Sequence, residues 1–434
     1  MQLLQVLPFI GLVLAQQPKL DLTNKNDVVA AAKAAMWPLK MHYDANKEAS
    51  GAWIEQLVQW HESGIYWNLF YQYMQYSGDT QYLSFVDHEM QISAGGNSDF
   101  LDGMNPFLEI AGRWNDDIGW WGLSTMTAAE TFGKDAIVAK DNLLTGFNPK
   151  YFDLANNTYY EILIGSDDLC GGGIYWSRSR SSTSSDPYLK STITNVEEME
   201  LGVRLYGMTK NPVYKNTVDT LYAWLKSSNI IGSDYTVYDG LRTTNCSVSY
   251  EVYSYHTGPL MTSLARMYVL TNDATYLTEA HNVFAAVKRQ FVDPTTQTLS
   301  IEPLRPVGKD PSGYSFTVYR GLADLYLASN DDSIKSQIAT ILRASATANF
   351  KLCDSNWYCM RSMPVGTQFT LLNGTNVRDQ FETVSILNSL SVMLGASSQI
   401  SAVTTTKSAA LGTASLSMAA VVGLLVGVVV PYLL

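Results

Sequence analysis

Two consecutive carboxylates, Asp116 and Asp117, stand in the stretch Ala111-Gly112-Arg113-Trp114-Asn115-Asp116-Asp117-Ile118-Gly119-Trp120-Trp121, framed by three tryptophans, an arginine and an asparagine. Cleavage of a glycosidic bond needs such a pair: one carboxyl protonates the leaving oxygen, and the other attacks the sugar or activates water. A retaining site wants the two about 5–5.5 Å apart and an inverting site about 6.5–9.5 Å. Neighbouring Cα atoms lie about 3.8 Å apart, so adjacency in the chain favours the close, retaining spacing. The two proton affinities must also diverge: mutual repulsion raises one, while a helix N-terminus and nearby donors hold the other ionised. The indole rings would exclude water and offer flat faces to a sugar. The plainer alternative is that the pair only caps or solvates the helical run expected over 123–132.

Asp-Asp alone discriminates little, because the chain holds three. Asp331-Asp332 lies in a turn between helical patterns and reads as helix capping. Asp167-Asp168 precedes Leu169-Cys170-Gly171-Gly172-Gly173-Ile174-Tyr175-Trp176. No Gly-Lys-Ser/Thr follows, so this is no phosphate cradle. It is either a second cleft wall, carrying Asp168 and Trp176, or a disulfide-pinned turn. Arg113 and Asn115 either bind sugar hydroxyls or make local structural hydrogen bonds. Of Trp120 and Trp121 one is expected in the core and one, Trp121, on the cleft. Tyr255 and His256 are expected at the mouth. Tyr319 and Arg320 complete the candidate substrate contacts as an inner-helix pair, and a buried Arg320 would need a carboxylate such as Asp324.

These residues sit between helical elements. A phrase recurs in which a helical apolar pattern ends in a short turn and Tyr or Ile opens the next helix. Its anchors are Tyr82, Ile137, Tyr214, Tyr276 and Ile334. Gly or Asn closes the first helix and Asp, Asn or Thr caps the next. Val28, Ala32, Ala35, Met36 and Leu39 keep helical spacing over 27–43, and 322–327, 334–342 and 381–394 behave alike. Strand signals are short, at 235–238 and 299–301. Units of about 60 residues holding two helices must stack to bury their faces. The irregular Gly/Asp/aromatic loops suggest a closed ring with loops massed at one mouth, so an all-α (α/α)6 toroid is the expected fold.

Composition agrees. The chain has 434 residues, 46% hydrophobic and 16% charged, enough for a large core. Its net charge of −11 opposes nucleic-acid binding, which draws on clustered Lys and Arg. The 26 Tyr and 10 Trp beside few charges suit a neutral, polar, ring-shaped ligand. Residues 1–15 read as a cleaved signal peptide, 16–395 as the catalytic domain and 396–408 as a Ser/Thr-rich linker. Residues 409–434 read as a removed GPI-attachment propeptide, with Ser408 as the attachment residue and Ser397, Ser398 and Gly412 as rivals. Asn156, Asn245 and Asn373 open N-glycosylation sequons in polar, turn-like contexts. Four cysteines allow three pairings; the short Cys353–Cys359 loop favours that bond, leaving Cys170 with Cys246. There is no CxxC and the five His are scattered, so no metal and no cofactor are expected. The expected location is secreted, on the outer face of the plasma membrane or in the wall.

At this point the chain resembles glycoside hydrolase family 76, the endo-α-1,6-mannanases, and within it the fungal GPI-anchored wall-biogenesis branch. The resemblance runs from about Asp21 to Leu394. It rests on Trp114-Asn115-Asp116-Asp117-Ile118-Gly119-Trp120-Trp121, Gly171-Gly172-Gly173-Ile174-Tyr175-Trp176, Ser254-Tyr255-His256-Thr257-Gly258-Pro259 and Tyr319-Arg320-Gly321-Leu322. It implies an (α/α)6 fold and a retaining mechanism on α-1,6-linked mannose, with Asp116 as nucleophile and Asp117 as general acid/base. Bacterial members tend to carry Tyr-Asn-Gln-Gly where this chain has Tyr255-His256-Thr257-Gly258, a departure on the acceptor side. The branch implies an α-1,6-mannose donor from mannan or a GPI core, a β-glucan acceptor, the membrane reached through the GPI lipid, and a monomer. The competing expectations are a non-catalytic mannan-binding scaffold and a polysaccharide lyase. The lyase is disfavoured because so acidic a chain would repel uronates.

Overall fold

The computed structural model describes residues 20–47, 51–52, 58–101, 114–138, 148–180, 186–299, 315–359 and 374–395, all within one compact unit. Arg113, Asn373, Ser408 and both terminal segments lie outside them.

Among the described residues twelve α-helices dominate: α1 Lys25–Asn46, α2 Trp60–Ser77, α3 Leu83–Ser93, α4 Asn115–Phe132, α5 Tyr151–Leu163, α6 Thr192–Thr209, α7 Pro212–Ser227, α8 Thr257–Thr271, α9 Ala274–Phe291, α10 Ser315–Ala328, α11 Asp332–Phe350 and α12 Gly374–Met393. The even-numbered helices pack in series, α2 on α4, α4 on α6, and so on to α12, which returns to α2 and closes the ring. The odd-numbered helices lie outside, and this is the (α/α)6 toroid. The inner helices are buried on nearly every face, as with the unbroken buried run from Thr192 to Leu205 in α6. The outer α7 and α9 bury one stripe only.

Turn chemistry sets the hairpins. Gly78, Lys210 and Asn272 close inner helices in the left-handed region, and Asn211, Asp273 and Asp331 accept from the first amides of the outer helices. Asp331-Asp332 is therefore a cap. One repeat anchor is corrected: Ile137 opens no helix but bridges Lys150, and α5 starts at Tyr151. Four of the five inner-to-outer links are short, the exception being 133–150 between α4 and α5, whereas every link into the N-terminus of an inner helix is long. That gathers the irregular loops at one mouth.

A small antiparallel sheet, β1 Leu189–Ser191, β2 Tyr238–Arg242 and β3 Ser247–Val252, is added there, where the sequence signalled only short local strands. Gly240 permits the close β1–β2 approach, since a Cβ there would meet the Lys190 carbonyl at 2.4 Å. Disulfides join Cys170 to Cys246 and Cys353 to Cys359. No described helix is long and apolar enough to cross a membrane. Asn245 is exposed at the β2–β3 turn. Asn156 is not in a turn as expected: it sits within α5, half-buried, and accepts from the Tyr214 hydroxyl at 2.6 Å.

Candidate active site

Helix α4 begins eight residues earlier than the apolar run at 123–132 suggested, with Trp114 as N-cap and Asp116 and Asp117 inside its first turn. The start is set by a second segment laid across it. The Asn115 amide donates to the Trp176 carbonyl at 2.8 Å, and its side-chain nitrogen donates to the Tyr175 carbonyl at 2.8 Å. Arg178 in turn donates to the Asn115 side-chain oxygen at 3.1 Å. Asn115 is thus a structural clamp. The Trp114 and Trp176 rings stack 5.0 Å apart.

The Gly-rich loop is held from below by Lys190, whose buried ammonium donates to the Asp167 carboxylate at 2.6 Å and to the carbonyls of Asp167, Leu169 and Gly172. Gly173 has φ 84°, and a Cβ there would lie 2.4 Å from the Trp224 ring, so the loop can pass this helix only without a side chain. Asp168, expected on the cleft wall, is instead exposed, and its neighbour Asp167 makes the anchoring contacts.

Successive residues on a helix point about 100° apart, so adjacent side chains do not face one another. Asp117, almost fully buried, has Oδ1 3.4 Å from Nδ1 of His61 on α2. Asp116 is aimed elsewhere: the Trp176 side chain donates to its carboxyl, and the backbone amides of Asp116 and Asp117 assist. Oδ1 of Asp116 is buried without a hydrogen-bond partner among the described residues. Burial raises its proton affinity, the donors only partly offset this, the Asp239 charge adds to it, and the result is about 7. The separation of the carboxyls is therefore a property of the helical turn and not of adjacency in the chain.

Several expected contacts move into the interior. Trp121 is fully buried, stacked 5.2 Å from Trp60 and with the tilted Phe100 ring 5.4 Å away, so both Trp120 and Trp121 are core residues. Tyr319, also buried, donates to Glu382 at 2.9 Å. Arg320 is buried and pairs with Glu200, while Asp324 lies 3.5 Å from Arg266. Each of these side chains is covered by its neighbours on the inner ring. His256 is fully buried beneath the mouth and not at it, with Nε2 3.7 Å from Asp239, and burial lowers its proton affinity to about 3. Tyr255 stays half-buried, its ring 4.4 Å from His256.

Sequence reasoning missed Asp239, His61, Lys190 and Glu197. Asp239, half-buried on β2, faces both His256 and Asp116. Its one available signal was the Asp239-Gly240 step beside a strand pattern. Among the described residues no group of three or more His, Cys, Asp or Glu could hold a metal ion.

Comparison with known proteins bears on the family and the fold. The model of glycosyl hydrolase family 76 matches residues 27–404. Two Schizosaccharomyces pombe relatives are 28% and 32% identical, over 54% and 46% of this chain. The chain spans about half the length of those relatives, 50% and 42%. The mannan endo-1,6-alpha-mannosidase DCW1 of Saccharomyces cerevisiae is 25% identical over 77% of this chain and 72% of its own. Among solved structures, Dfg5 from Chaetomium thermophilum in complex with glucosamine has a TM-score of 0.73 at 22% identity, covering 86% of this chain and 92% of that one. An inactive α-1,6-mannanase variant from Salegentibacter sp., two successive aspartates replaced by alanine, in complex with α-1,6-mannotetrose, has a TM-score of 0.64 at 14% identity. It covers 84% of this chain and 99% of that one.

Proposed function

The chain belongs to glycosyl hydrolase family 76, and from that premise we propose that it is a retaining endo-α-1,6-mannosidase or transglycosidase. The carrying observation is the Asp116–Asp117 pair in the first turn of α4, with the Asp116 carboxyl buried and accepting from the Trp176 side chain and the first helix amides. In the first step an Asp116 oxygen bonds to the anomeric carbon and the bond to the leaving oxygen breaks. That oxygen takes the Asp117 proton. In the second, an acceptor hydroxyl gives its proton to Asp117 and its oxygen displaces Asp116. Water gives hydrolysis, whereas a sugar hydroxyl gives transfer.

The donor is an α-1,6-mannose glycan, from mannan or from the mannose core of a GPI anchor, and the acceptor is β-glucan. The product would be a GPI-anchored protein moved to the wall. Relatives known as mannan endo-1,6-alpha-mannosidases support the donor, and the apolar runs at 7–14 and 418–434 support a surface location reached through a GPI lipid. The experiment is mass spectrometry of an α-1,6-mannose GPI-core glycan incubated with the ectodomain and a β-glucan oligosaccharide, with Asp116→Asn in parallel. A mannose–glucan adduct absent from the variant supports transfer, and mannan fragments alone mean hydrolysis. Binding without product in either protein supports the scaffold reading.

One observation favours a second assignment of roles. Burial makes Asp116 hold a proton up to about pH 7, as a general acid should, which would leave Asp117 as nucleophile. Trapping the glycosyl-enzyme and sequencing the labelled peptide separates the two.

A further inference from the structure

Beneath the first turn of α4 lies a carboxyl that neither step of this reaction uses. Glu197, on inner helix α6, is fully buried, and neither oxygen has a hydrogen-bond partner among the described residues. Its position depends on a glycine. A Cβ built on Gly119 would lie 2.0 Å from Oε2 of Glu197 and 3.1 Å from its carboxyl carbon. The carboxyl therefore fills the space that any side chain at 119 would need. Gly119 is three residues beyond Asp116 on the same helix, and residues three apart share a face. The notch thus places Glu197 on the Asp116 side of α4.

We propose that Glu197 is a positioning residue of this site: a third carboxyl, seated in the notch left by Gly119, that must stay uncharged for the Asp116–Asp117 pair to work and so closes the working range on the alkaline side. The inference rests on the glycosidase reading. Throughout the two-step reaction the pair carries one negative charge, first on one aspartate and then on the other. A second charge against the same helix face, with no donor to receive it, would be severely penalised. The groups that act on Glu197 are Asp116 and Asp117 from α4, Glu200 from its own helix and Arg320 from α10. Burial, then the Asp116, Glu200 and Asp117 charges, push its proton affinity well above the usual carboxylate range, and only Arg320 opposes them. Of the other elements packed on α6, β1 brings Lys190, committed to the Gly-rich loop, and β2 and the 3-10 turn Ser254–His256 bring Asp239 and His256.

The test has two arms. Infrared spectra of the folded protein at neutral pH should show a protonated-carboxyl band component that Glu197→Gln removes. Glu198→Gln, at a second buried carboxyl, should remove a different component. The second arm is the pH profile of kcat/KM. Wild type should lose activity on the alkaline side through two ionisations and Glu197→Gln through one, so the variant's advantage grows about tenfold per pH unit beyond the second. Gly119→Ala, which displaces the carboxyl and suits a helix better, should shift the alkaline limb in the same direction, while Glu198→Gln should leave it in place. Loss of no infrared component in Glu197→Gln means the residue is ionised and overturns the inference, as does an unchanged alkaline limb. If wild type cleaves no α-1,6-mannan, the glycosidase reading fails, and the infrared arm still decides the charge of Glu197.

Discussion

Oδ1 of Asp117 lies 3.4 Å from Nδ1 of His61, and this contact is made between two inner helices, α4 and α2. It gives the second carboxyl of the pair a partner on α2, where the donor to Asp116 is Trp176 of the Gly-rich loop. Replacing His61 by Ala should lower kcat by about tenfold, the rate equivalent of one net hydrogen bond of about 1 kcal/mol or slightly more. It should also move the pH profile, whereas a packing defect alone would lower the melting temperature and leave the profile in place. Steady-state kinetics across pH, with thermal unfolding alongside, separate the two.

The raised proton affinity of Asp116 gives a signed pH prediction. Held at about 7 by burial, the carboxyl is neutral below that and charged above. With Asp116 as nucleophile, kcat/KM falls tenfold per pH unit as pH drops below about 7. With Asp116 as the acid, the loss falls on the other side. A profile on α-1,6-mannotetraose reads which limb carries this ionisation.

Stability should favour acid. Glu198 is fully buried with neither oxygen bonded among the described residues, and burial raises its proton affinity well above the ordinary value. A carboxyl whose folded proton affinity exceeds its unfolded one contributes stability that is complete below the unfolded pKa, roughly 4.3. That stability is lost as pH rises towards the folded value. Thermal unfolding temperatures should therefore fall from about pH 4.5 into the neutral range, and Glu198→Leu should flatten the slope and stabilise the neutral protein by about 1–4 kcal/mol. An equal slope in the variant would contradict this account.

Lys190 ties the Gly-rich loop to β1, and that loop presents Trp176 to Asp116. Lys190→Met takes one donor from the Asp167 carboxylate, which keeps Arg180 and the Leu169 amide, and one from each of three carbonyls. It should destabilise by about 1–3 kcal/mol, the usual consequence of leaving buried acceptors short of a charged donor, because the partly exposed Asp167 keeps its other partners. Activity should fall further than the folded fraction, because the Trp176 indole loses its seat. Urea unfolding and activity per folded molecule give the comparison.

Local chemistry was legible in the chain. Hairpin turns follow from residues adjacent in sequence, so Gly78, Asn211, Asp273 and Asp331 announced them; the recurring unit fitted an open solenoid or a ring, and the irregular loops between helices pointed to the ring. Ile137 misled because a Gly-Lys-Asp turn looks alike whether a helix or a bridged loop follows. Asp116 and Asp117 stood out through residue type and aromatic company, and Cys353 with Cys359 through their short loop.

What surrounds that pair was decided by the tertiary structure. Trp121, Tyr319 and Arg320 have the composition of ligand contacts, yet packing within the closed ring buries all three. His61, Asp239 and Glu197 reach the pair from α2, β2 and α6, across sequence separations that no local pattern records. The sequence by itself determined the two carboxyls, the turn chemistry and the repeat, because those depend on neighbours along the chain. The direction of each carboxyl, the partner it meets and the proton it holds depend on burial and on charges brought near by packing, and these exist only once the ring is closed.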